Sequence, residues 1–232
     1  DPAAHAAVHD ALAGAELLIA DGHHRYETAR VYADEVGGEG GHRYVLMCLV
    51  ALEDEGLTVF PTHRLVRGTT PATQEALATA LREHFTIEPT TLEELAPPES
   101  DGPLVMGYLD AHFKEPFRLE LKSQEIADRV LAGMPGPYRR LDTAVLEALL
   151  LTGPLGLTEH AIEELDGFGY ARSAQAGIDM VTSGEYDLGF FLRPTPVTQV
   201  REVAAEGVSM PPKSTYFFPK VITGMLFNPL TD

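Results

Sequence analysis

The sequence predicts an α+β fold (mixed α/β), a mixed sheet with flanking helices. Two observations carry that expectation. Apolar runs of strand length alternate with segments of helical period, but without the strict βα repetition of a doubly wound sheet. The length of 232 residues and hydrophobic content of 44% suit a folded domain with a real core. The chain is read as one α+β unit, the C-terminal portion of a longer protein, with a possible subdivision near residues 97–103 where prolines and polar residues gather.

The elements follow in order. Residues 17–20 form a short apolar run that predicts a buried strand. Gly22 frees the backbone at the turn that follows. From Tyr26, the positions Tyr26, Ala29, Ala33 and Val36 recur at helical spacing. Glycines at 37–41 predict a turn, and the long apolar run 44–52 predicts a second buried strand with Cys48 packed inside it. Asp54-Glu55-Gly56 predicts a hairpin turn returning through 57–60 into Pro61-Thr62-His63-Arg64. A helix is expected over 71–85 and a polar, proline-punctuated loop over 88–103. Strands follow at 104–109 and 117–121, and a helix at 142–151. Thr158 is the cap of a further helix, 173–183 is helical, 188–192 is an apolar strand, and 197–205 is a helix after Pro194 and Pro196. The tail 211–230 holds two short strands at most.

Composition narrows the function. A formal charge of −18 opposes broad nucleic-acid binding, which needs phosphate neutralisation by cationic side chains. One cysteine excludes an internal disulfide framework and a thiolate-rich metal site. The longest apolar run is too short to cross a bilayer and no signal peptide is present, so a cytoplasmic protein with no membrane partner is expected. Oligomeric state is left open.

Chemistry concentrates in three places. Asp21-Gly22-His23-His24-Arg25 lies at the start of the first predicted helix, where open N–H groups and the helix dipole favour an anion. Arg25 supplies a charged fork, and Asp21 is placed to hold Mg²⁺ or orient a substrate hydroxyl. The alternative is a helix start capped by Asp21 with solvated histidines. His63 and Arg64 leave the end of a predicted strand, either toward a cleft or as a surface pair. Lys213, Ser214, Thr215 and Lys220 lie in a stiff, proline-bracketed loop, where they would bind phosphate while Tyr216, Phe217 and Phe218 pack the tail.

These segments carry a resemblance. Ile-Ala-Asp-Gly-His-His-Arg-Tyr-Glu-Thr-Ala at 19–29, Phe-Pro-Thr-His-Arg at 60–64 and Met-Pro-Pro-Lys-Ser-Thr-Tyr-Phe-Phe-Pro-Lys at 210–220 resemble the DUF1015 family of uncharacterised bacterial and archaeal proteins. Segments 141–146 and 187–192 also fit that family's pattern. More distantly, residues 21–25 are similar to the phosphate-binding turn of the ParB/sulfiredoxin superfamily, at a strand-to-helix junction. That superfamily includes a free-serine kinase, partition proteins and sulfiredoxin. The only cysteine, Cys48, lies outside the turn, which removes the sulfiredoxin chemistry.

The resemblance implies a nucleotide-dependent phosphotransferase acting on a small hydroxylated metabolite such as serine, with ATP or ADP and Mg²⁺. Gly22, His23, His24 and Arg25 would hold phosphate, His23 or His24 would meet its developing charge, and Asp21 would contact Mg²⁺ or the acceptor hydroxyl. His63, Arg64, Lys213 and Lys220 would close a positive cleft. The base, a glutamate in the serine kinase, would lie upstream of residue 1. The alternatives are a non-catalytic nucleotide or phospho-metabolite binder, and a metal-dependent hydrolase using Asp21, His23, His24 and His63.

Overall fold

In a computed structural model, residues 1–222 and 224–230 are described. Residue 223, within the tail read as 211–230, lies outside them. The chain divides into two compact units, Asp1–Ala51 with Lys220–Asp232, and Leu52–Pro219. Residues 97–103, the expected place for a subdivision, lie inside the second unit.

The first unit is helical. Helix α1, Pro2–Leu12, has Asp1 as its cap, whose carboxylate accepts from the Ala3 N–H at 2.9 Å, and proline in its first turn. Proline there loses no helix hydrogen bond. Helix α2, His23–Val36, ends at Gly37, which has φ +67°. Residues 41–43 make a single 3₁₀ turn.

Neither strand expected in this unit forms. Residues 17–20 and 44–51 carry no ladder, and Leu17 and Met47 are 58% and 53% exposed. An apolar run becomes a strand only where another backbone offers its hydrogen-bonding edge. Among the described residues, every paired strand lies between residues 58 and 218. Without a covering layer, Cys48 is exposed rather than packed. For the same reason residues 54–56 form a turn, with Leu57 N–H bonded to Asp54 O at 2.9 Å, but no hairpin.

The second unit is built on antiparallel sheets. Strand β1, Thr58–Phe60, leads to β2, His63–Val66, then to helix α3, Pro71–His84. The cap of α3 is a reciprocal box between Thr70 and Thr73, and its buried face presents Leu77, Ala80 and Leu81. Strand β3, Phe85–Pro89, takes up the chain directly at the residue expected to end that helix, because Phe85 drops into the core. Strands β4, Val105–Asp110, and β5, Pro116–Leu121, follow. Helices α4, Gln124–Val130, α5, Gly136–Arg139, and α6, Asp142–Leu146, come next. Residues 147–151 then widen into a π-helical turn. Helix α7, Glu159–Glu164, precedes β6, Phe168–Ala171, and helix α8, Ala174–Thr182. Strand β7, Leu188–Leu192, helix α9, Val197–Ala205, and strand β8, Tyr216–Phe218, complete it.

The large sheet runs β3-β5-β4-β7-β2-β6, and β1 pairs with β8 separately. The class is α+β as expected, but every strand pair in these sheets is antiparallel, where a mixed sheet was expected.

Alternation places the core on both faces. Phe190 and Leu192 join Leu77, Leu81, Met106, Leu119 and Leu150 on one side. Phe191 joins Leu65, Leu109, Ile178 and Val181 on the other. A strand buried on both faces reads as a continuous apolar run, which is why 188–192 was legible. Among the described residues, no helix is long and apolar enough to cross a membrane.

Candidate phosphate-binding turn and a buried arginine clamp

The first unit sets the turn. Gly22 is the cap residue of α2, with φ +88° and ψ 24°, and no side chain caps that end. A left-handed cap favours glycine, and an added Cβ would meet the Arg25 Nη2 at 3.1 Å. The Arg25 side chain therefore folds back over the turn. Asp21 Oδ1 accepts from the Gly22 N–H at 2.8 Å, and Oδ2 accepts from Lys220 Nζ at 3.0 Å, with Arg25 Nη2 at 3.9 Å. The Lys220 hydrogen bond is the main cause that holds the Asp21 carboxyl below its ordinary value, against some burial.

This corrects one expected donor, since the Gly22 N–H is engaged by Asp21. The N–H groups of His23 and His24, at the first positions of an uncapped helix, remain. Both histidines are exposed. The segment entering the turn, residues 17–20, is irregular rather than a strand.

His63 and Arg64 lie in the second unit, and both are buried rather than surface-exposed. His63 Nδ1 accepts from the Leu192 N–H at 3.2 Å, which puts the ring proton on Nε2. Burial, then the charge of Arg64, pushes its pKa down to about 4. Arg64 donates to the carbonyls of Thr62, Lys213 at 3.1 Å and Pro212 at 3.0 Å, and its guanidinium lies 5.1 Å from the Tyr170 ring centre. Burial pushes it down to about 10, while Tyr170 and Glu147 act in the opposite sense.

The loop it grips is fixed from other sides. Ser214 Oγ donates to Pro211 O at 2.6 Å and lies 2.9 Å from Thr143 Oγ1, and Thr195 Oγ1 donates to Ser214 O at 3.1 Å. Lys213 itself has φ +56°, which for a non-glycine residue requires the surroundings to hold it. Its side chain is exposed and Thr215 is half-buried. The sequence thus brings His63, Arg64, Lys213, Ser214 and Thr215 into one neighbourhood, and Asp21, Gly22, Arg25 and Lys220 into another.

Sequence reasoning missed the buried pair Asp142 and Arg193. Arg193 Nε and Nη2 meet Asp142 Oδ2 and Oδ1 at 2.7 and 3.0 Å. Burial raises the Asp142 pKa and Arg193 opposes that rise. The available signal was an arginine directly after the apolar strand 188–192, which cannot be buried without a partner.

Among the described residues, no group of three or more His, Cys, Asp or Glu side chains is placed to hold a metal ion. Of the residues that a hydrolase reading would use, Asp21, His23 and His24 lie in the first unit and His63 in the second.

The chain matches the model of a family described as "Protein of unknown function (DUF1015)" over residues 1–144. No curated protein matches it. Among solved structures, it is similar to a conserved hypothetical protein from Pyrococcus furiosus, at 16% identity and a TM-score of 0.47, covering 88% of this chain and 71% of that one. It is also similar to a free serine kinase in complex with AMP, at 15% identity and a TM-score of 0.44. A mutant of that kinase in complex with ADP gives 13% and 0.46. In both kinase comparisons 85% of this chain is covered, and it spans 66% of the kinase.

Proposed function

The chain belongs to the DUF1015 family of proteins of unknown function, and we propose that it binds a nucleotide phosphate at residues 21–25 in the service of phosphoryl transfer. The acceptor is a small hydroxylated metabolite such as serine, and the donor is ATP or ADP. One observation carries the reading: a long helix begins at a left-handed glycine with no side-chain cap and with a guanidinium folded over it. The N–H groups of His23 and His24 offer donors to phosphate oxygens. Arg25 adds a charged fork, and the exposed imidazoles meet charge that develops on the transferred group.

Asp21 is held ionised by Lys220, so it accepts a hydrogen bond better than it accepts a proton. That suits orienting the acceptor hydroxyl. It also fits Mg²⁺, which takes one or two carboxylates together with phosphate oxygens and neutralises their charge. In the second unit, Arg64 and Ser214 serve as scaffold for the 211–215 loop, whose Lys213 and Thr215 are that loop's own candidates to meet an anion.

The poor basicity of Asp21 also favours a second reading, a nucleotide or phospho-metabolite binder that transfers nothing. Two measurements separate them. Calorimetry with ATP and ADP is expected to show binding that falls about 10- to 100-fold in Arg25→Ala, the loss of a charge-assisted hydrogen bond. Unchanged affinity removes the phosphate role. Nucleotide turnover with a panel of hydroxy-amino acids then decides between transfer and binding alone.

A further inference from the structure

A cavity of about 330 Å³ in the second unit takes no part in the phosphate reading. It lies between the loop at 100–102, the start of α4 and the first turns of α9, with Arg193 in its wall. Its volume is at the lower end of small-molecule sites.

The cations in its wall are already paired. Arg193 is 7% exposed and sits in the fork of Asp142, with further bonds to Ser100 Oγ at 2.6 Å and Gly102 O at 3.1 Å. These bonds occupy four of its five N–H groups, which leaves one on Nη1. Arg140 pairs with Glu202 at 3.0 Å. Asp101, exposed in the same wall, adds an acceptor and no positive charge, so the cavity holds no surplus cation to attract an anion.

Beside that carboxylate lies a set of neutral donors and acceptors. Gln124 and Gln199 spend their Nε2 groups on the backbone carbonyls of Arg139, at 3.1 Å, and Arg140, at 2.9 Å, and each keeps an Oε1 acceptor. Ser100 accepts from Arg193 and keeps its O–H. Thr198, exposed in the same wall, makes no hydrogen bond among the described residues. Donors and acceptors side by side, with both cations paired and the Asp101 carboxylate beside them, match hydroxyl groups, each of which donates and accepts at once. We propose that this cavity binds a small neutral polyhydroxylated molecule of monosaccharide size.

The test is titration of the full chain with a panel of monosaccharides and sugar alcohols, followed by calorimetry and NMR. Inorganic phosphate, amino acids and a simple amine serve as contrasting probes. Saturable binding of a neutral sugar or polyol, indifferent to salt, is expected. Thr198→Val should weaken it about five- to tenfold, and Glu202→Gln, which removes a charge but keeps an acceptor, by less than that. The proposal is overturned if no sugar or polyol binds, if Thr198→Val leaves binding unchanged, or if only a charged probe binds there. None of these outcomes bears on Arg25, so the two readings stand or fall apart.

Discussion

His63 is 1% exposed, with its ring 5.2 Å from that of Phe191 and its Nδ1 bonded to the Leu192 N–H. Its folded pKa of about 4 is below the ordinary 6.5, so between those values the unfolded chain takes up a proton that the folded chain refuses. The stability that His63 contributes is therefore complete above pH 6.5 and is lost as pH falls toward 4, about 3 kcal/mol in all. His63→Gln keeps an acceptor for Leu192 and removes the titration. Urea unfolding across this range should give a difference curve between the two proteins that slopes downward with acid. A flat difference would mean that the imidazole ionises as freely folded as unfolded. At this scale the candidate turn was partly legible, because Asp21, Gly22 and Arg25 interact over a few residues of sequence. The hydrogen bond from Lys220 to Asp21 spans 199 positions, and no local pattern announces it. Arg64 shows the same limit, since its type and place were visible but its two remote acceptors, the carbonyls of Pro212 and Lys213, were not.

Among the elements, those whose own side chains decide their state were read correctly. The apolar face of α3, the apolar run of β7 and the cap at Thr158 each need only local sequence. Residues 44–52 were misread because an apolar run says nothing of whether a neighbouring backbone exists to pair with it. Short elements such as β6, and β3 at the end of α3, were hidden because tertiary packing sets their limits. Strand β4 gives a prediction of its own. A Cβ at Gly107 would come within 1.9 Å of the Leu95 carbonyl oxygen, a backbone atom with little room to retreat. Gly107→Ala should destabilise the second unit by about 3 kcal/mol or more, read from the urea midpoint. A change under ~0.5 kcal/mol would mean that the loop carrying Leu95 moves aside at no cost.

The two units of the molecule differ in kind. The second owns both hydrophobic clusters that flank the large sheet. In the first, α1 and α2 bury no residue, and the segments 17–20 and 44–51 hold their backbone outside any ladder. Local opening free energy follows buried apolar contact and ladder hydrogen bonds. Amide hydrogen exchange followed by mass spectrometry should therefore label 17–20 and 44–51 first, and β4 and β7 last. Slow exchange at 44–51 would show that a partner or a second copy covers it in solution.

The grip of Arg64 on the carbonyl of Pro212 joins residues 148 positions apart. During synthesis a ribosome adds about 5–20 residues each second, so roughly 7–30 s separate the emergence of the guanidinium from that of its acceptors. Until then strand β2 cannot seat that charge in a dry interior. The nascent second unit must wait, open on this side, for its own last loop to arrive.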